Sequence, residues 1–103
     1  MSYLRFSSLS IIFLTLILGG NKLTSLDLLS FQMATSLLKL NLSGNHISSY
    51  HPRTFYFLPE LLDLDMSGNA LTSIHANTFR AQNHLTNLKL NRNDLRHVVS
   101  MEG

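Results

Sequence analysis

LKLNLSGNHIS, residues 38–48, returns almost unchanged as LDLDMSGNALT, residues 62–72. In each copy large apolar residues alternate with polar ones, and a Ser-Gly-Asn triplet follows. Alternation at period two puts Leu40 and Leu42 on one side of a short strand and Asn41 on the other. Gly44 and Asn45 then turn the chain, because glycine adopts positive φ without steric penalty.

The echo has a strict period. Asparagines stand at 21, 45, 69 and 93, with 24 residues between successive ones. Aligned on that period, five further columns are apolar: Phe13, Leu37, Leu61, Leu85; Leu16, Leu40, Leu64, Leu88; Leu18, Leu42, Met66, Leu90; Leu23, Ile47, Leu71, Leu95; and Leu26, Tyr50, Ile74, Val98. A sixth, late in the unit, is Phe31, Phe55 and Phe79. A chain that is 45% hydrophobic overall does not fill six columns without exception by accident.

This pattern resembles the leucine-rich repeat, LxxLxLxxNxL, in its 24-residue form with a late phenylalanine. That form is similar to the repeats of extracellular receptors and adhesion proteins such as the Toll-like receptors. The resemblance runs from about residue 12 to residue 98. It implies an α/β solenoid: a right-handed coil with short parallel strands on the concave face and turns or 3₁₀ pieces on the convex face. It also implies that Asn21, Asn45, Asn69 and Asn93 enter the core as a ladder, their side chains bonding the backbone of the bend that leaves each strand. No unit can bury its leucines alone, so each needs a neighbour on either side.

The domain reading follows. Residues 13–98 form four repeats, 13–36, 37–60, 61–84 and an incomplete 85–98, and residues 99–103 form a truncated, uncapped end. Residues 1–12 have two readings. Phe6, Leu9 and Ile12 reproduce the spacing of Phe55, Leu58 and Leu61, as the tail of a preceding repeat would. The apolar run from Ile11 to Leu18 also looks like the core of a signal peptide and is too short to span a bilayer. Cleavage after Gly20 would remove the strand that carries Leu16 and Leu18. Extracellular members of the family close their ends with cysteine clusters, and this chain has no cysteine. The expectation is therefore a fragment of a longer array, with self-association through its uncapped ends. The parent's place is extracellular or membrane-attached by the resemblance, with the cytoplasm as the alternative.

On the convex side, Pro52 and Pro59 argue against a long regular helix. The phenylalanine column reads as a core spine rather than a ligand-stacking stripe.

Function is sought on the outward strand positions, since the strand-lined face is the usual binding surface of a solenoid. One outward column is Thr15, Lys39, Asp63, Asn87 and the other is Ile17, Asn41, Asp65, Lys89. Lys39, Asn41, Asp63, Asp65, Asn87 and Lys89 form the candidate binding face for a protein or peptide. Lys39 falls beside Asp63, and Asp65 beside Lys89, as cross-strand ion pairs. Leu14, Leu38 and Leu62 precede the strands and read as half-buried. Asn41-Leu42-Ser43 is an N-glycosylation sequon, and a glycan on Asn41 would obstruct the same face.

Other chemistries find little support. The net charge is +2 and no Lys/Arg run forms a nucleic-acid patch, so no nucleic-acid partner is expected. Without cysteine there is neither a disulfide framework nor a thiolate metal site or nucleophile. His51 and His75 share a repeat position but lack a third ligand, so no metal and no cofactor is expected. No serine sits in a nucleophile elbow and no phosphate loop is present, so no enzymatic activity is expected.

Overall fold

The computed structural model describes residues 15–99. Phe13, Leu14, the segment 1–12 and residues 100–103 lie outside the described residues.

The chain winds as a parallel β solenoid. Strands β1 (Thr15–Ile17), β3 (Lys39–Asn41), β5 (Asp63–Asp65) and β7 (Asn87–Lys89) form one four-stranded sheet in that order. Every pairing is parallel and offset by one period: Leu16 lies beside Leu40, Leu40 beside Leu64, and Leu64 beside Leu88. Parallel strands need a long connection between them, and the rest of each repeat supplies it.

The core columns pack as the period requires. Leu37, Leu40, Leu42, Ile47, Leu61, Leu64, Met66 and Leu71 are buried. Leu38 and Leu62 are half-buried at the strand starts. The last coil differs: Leu88 is 39% exposed and Leu95 is 40% exposed. A core position is sealed by the coils on both sides of it, and the described stack supplies only one of them here.

Beyond the strand, the backbone continues to bond from coil to coil. Gly44 N donates to Ser67 O at 3.0 Å and Gly68 N to Asn91 O at 3.0 Å. Farther round, Ala70 N reaches Ile47 O at 2.9 Å and Asp94 N reaches Leu71 O at 3.0 Å. The bend is left-handed at Gly20, Gly44 and Gly68, and the fourth repeat makes the same bend with Arg92 at φ 59°.

The far side of the coil holds more strand than its sequence shows. Besides a 3₁₀ turn at Thr54–Phe57, it contains β2 (Ser25–Leu26) paired with β4 (Ser49–Tyr50), and β6 (Ser73–His75) paired with β8 (His97–Val99). No α-helix occurs among the described residues. Phe31 and Phe55 are fully buried, and Phe79 is partly so. Their rings stack at 6.3 Å between Phe31 and Phe55 and 5.9 Å between Phe55 and Phe79.

Candidate functional site

The four-stranded sheet carries a shallow groove of about 390 Å³ on its outward face. All six candidate residues line it, together with Thr15 and Ile17. Period-two alternation puts them there: the central residue of each strand, Leu16, Leu40, Leu64 or Leu88, turns to the core side and its two neighbours turn outward.

The first column is knit across the strands. Lys39 Nζ lies 3.7 Å from Asp63 Oδ2. Asn87 Nδ2 donates to Asp63 Oδ1 at 2.6 Å. Asp63 thus serves both neighbours, and its 32% exposed carboxylate keeps lone pairs open to the groove.

The second column behaves differently from its outward reading. Asn41 Oδ1 accepts from the Ser43 amide at 2.9 Å and the Ser43 hydroxyl at 2.7 Å. Asp65 Oδ1 repeats the arrangement with Ser67 at 2.9 and 2.6 Å. These are side-chain-to-backbone turns that brace the bend after the strand. Asp65 and Lys89 are register neighbours, yet no ion pair joins them among the described residues. The expected second salt bridge is absent because the carboxylate is turned back to its own bend. In the first and fourth repeats the serine position holds Gly19 and Asn91, and the strand position holds Ile17 and Lys89. Those two side chains therefore remain uncommitted. Ile17 is 71% exposed, an uncovered apolar side chain among the polar residues of the face.

Asn41 bears on modification as well. Its amide stands in the middle of the groove, so a glycan there would rise between Ile17 and Asp65.

Beneath the bend lies the asparagine ladder. Asn45 Oδ1 accepts from Leu23 N at 3.2 Å, and its Nδ2 donates to Leu18 O at 3.1 Å and Leu42 O at 2.9 Å. Asn69 repeats this with Ile47 N, Leu42 O and Met66 O. Asn93 repeats it with Leu71 N, Met66 O and Leu90 O. Each amide thus joins its own strand exit to the preceding coil. Asn21 bonds Leu18 O and Gly19 O and is exposed.

A further polar column was not foreseen. Ser30, Thr54 and Thr78, each just before a spine phenylalanine, are buried. Thr54 Oγ1 donates to Asp27 O at 2.9 Å, and Thr78 Oγ1 lies 2.8 Å from the Tyr50 hydroxyl. The signal was present as Ser-Phe, Thr-Phe and Thr-Phe at the repeat period. Gln82 is buried too, and donates to the carbonyls of Phe55 and Leu58 in the preceding coil.

The two histidines part company. His51 is exposed and its Nδ1 accepts from Arg53 N at 3.0 Å. His75 meets the Tyr50 ring edge-on at 6.5 Å, and its Nδ1 is buried. Among the described residues no group of three or more His, Cys, Asp or Glu is placed to hold a metal ion. Nor is any helix there long and apolar enough to cross a membrane.

The family model described as Leucine rich repeat matches residues 14–71, more than half of the chain. A comparison with curated proteins finds no match.

Proposed function

Since the chain belongs to the leucine-rich repeat family, we propose that it is a protein-binding module whose partner docks on the outward face of the four-stranded sheet. Leucine-rich repeats generally mediate protein–protein interaction and are typically non-enzymatic. The observation that carries the assignment is the groove of about 390 Å³ lined by Lys39, Asp63, Asn87, Lys89 and Ile17. A rigid parallel sheet holds these groups in fixed register, so recognition costs little ordering entropy. The mechanism is complementarity of shape and charge, with no bond made or broken.

The 24-residue repeat with its phenylalanine spine supports a place in a receptor or adhesion ectodomain on the extracellular side. A second reading, a structural length of solenoid with no binding of its own, has one observation in its favour. Asp63, Asn41 and Asp65 spend their hydrogen bonds inside the molecule.

Panning a random-peptide library against the immobilised chain separates the two. Recovered ligands should lose at least about ten-fold in affinity on Lys39→Glu or Asp63→Lys, and nothing on Arg53→Glu, an exposed change off the sheet. Ligands indifferent to the sheet substitutions, or no ligands at all, would favour the structural reading.

A further inference from the structure

The outward face has two columns, and most of their polar atoms are already partnered. Lys39, Asp63 and Asn87 satisfy one another. Asn41 and Asp65 each give one oxygen to a serine bend. Apart from the exposed Thr15 hydroxyl at the edge of the first column, which offers a single hydrogen bond, two whole side chains are left over, both in the second column. One is the 71% exposed side chain of Ile17, on the first strand of the sheet. The other is the exposed ammonium of Lys89, on the fourth, which makes no hydrogen bond or ion pair among the described residues.

Their separation is set by the sheet. Ile17, Asn41, Asp65 and Lys89 are consecutive register partners, so three strand intervals lie between the ends. At about 4.8 Å per interval that is roughly 14 Å. An extended peptide advances about 3.4 Å per residue and shows the same face at every second residue. Residues i and i+4 of an extended segment are therefore about 13.6 Å apart on one face. Residues i and i+2 fall short at about 6.8 Å, and i+6 overshoots at about 20 Å. A helix brings same-face residues about 6 Å apart at i,i+4, about 10.5 Å at i,i+7 and about 16.5 Å at i,i+11, and none matches.

We infer that the groove takes an extended peptide lying across the strands, with an aliphatic side chain on Ile17 and a carboxylate four residues away on Lys89. This rests on the reading of the outward face as the binding surface, and it names the partner chemistry. Electrostatic complementarity selects the acid, because Lys89 is the unpaired cation of the groove. The residue midway between the two anchors shares their face and passes between Asn41 and Asp65. A small hydroxyl side chain fits there, and a second carboxylate is repelled by Asp65.

The test uses the 103-residue chain and fluorescein-labelled, end-capped peptides with one leucine and one glutamate on a serine-threonine background. In fluorescence anisotropy the i,i+4 peptide should bind at least about ten-fold tighter than the i,i+2 and i,i+6 peptides. A glutamate placed midway should weaken it. Lys89→Glu should abolish the preference, and a peptide with lysine in place of its acid should recover binding to that variant. Both anchors are exposed, so Lys89→Glu and Ile17→Ser leave the core untouched.

If all spacings bind alike and Lys89→Glu weakens them equally, the extended motif is wrong while the face still binds. If no peptide binds, or binding ignores both Lys89→Glu and Ile17→Ser, the motif is overturned. The library ligands described above then decide separately whether the face binds anything.

Discussion

The side-chain oxygen of Asn69 accepts a hydrogen bond from the backbone N–H of Ile47 at 3.1 Å, one coil earlier. Its nitrogen meanwhile serves Leu42 O in that coil and Met66 O in its own. One amide thus satisfies backbone groups on two turns of the solenoid, which a hydrophobic side chain of the same size cannot do.

Removing that amide exposes the cost. Asn45 is 3% exposed, so Asn45→Ala strands the Leu23 N–H, while Leu18 O and Leu42 O each lose one of two donors and keep those of Asn21 and Asn69. One unpaired buried group costs about 1–3 kcal/mol, and a loss in that range is expected. Asn21→Ala removes only exposed bonds and should cost less than about 1 kcal/mol. Urea denaturation of the two variants checks the contrast. Equal losses would mean that the ladder does not link the coils.

The left-handed bend makes a prediction of opposite sign at two equivalent positions. A Cβ on Gly68 would stand 3.3 Å from Gly44 N, with φ at +65°. Gly68→Ala should therefore destabilise by about 1–2 kcal/mol. Arg92 already bears that strain at φ 59°. Arg92→Gly should stabilise by up to about 1 kcal/mol, since glycine relieves the backbone and gives part of the gain back as chain entropy. Thermal melts of both variants decide it, and a destabilised Arg92→Gly would show that the arginine side chain contributes more than its backbone costs.

The solenoid was legible because every coil repeats the same constraint. A column such as Leu16, Leu40, Leu64 and Leu88 marks the strand, and the interval between its members fixes the pairing register. The pairs β2–β4 and β6–β8 were not legible. Ser25–Leu26 and Ser49–Tyr50 are two residues long, too short for alternation to show. The roles of Asn41 and Asp65 were hidden for another reason. An outward polar residue looks the same in sequence whether it reaches for a ligand or bends back to a serine two residues on. Ile17 was passed over because a groove was sought in charges, and its value lies in being apolar and uncovered.

The phenylalanine spine predicts a gradient. Phe55 is fully buried between two rings, 6.3 Å from Phe31 and 5.9 Å from Phe79. Phe55→Ala should cost about 3–5 kcal/mol, through lost transfer energy and the cavity left behind. Phe79 packs on one neighbour ring and is only half-buried, so Phe79→Ala should cost less, about 2 kcal/mol. The denaturant midpoint should fall in both variants with the slope unchanged. A larger loss at Phe79 would mean that the stack draws its stability from the third coil rather than the second.

The outward face should be the part of the molecule that tolerates change. Lys39 and Asp63 lie 3.7 Å apart, with side chains 59% and 32% exposed. Water and salt screen a pair in that setting, and double-mutant measurements on such pairs give about 0.2–1 kcal/mol. Lys39→Met should therefore shift stability by no more than about 0.5 kcal/mol, and the shift should shrink further in about 1 M salt. Asp63 keeps its bond from Asn87 in that variant, so no buried group is stranded. This insensitivity is what lets Lys39 report on binding: a ligand lost on its substitution is lost through contact, because the coil beneath has not moved. A destabilisation above about 1 kcal/mol, measured by urea titration at low salt, would mean instead that the face is part of the fold's own support and is not available to a partner.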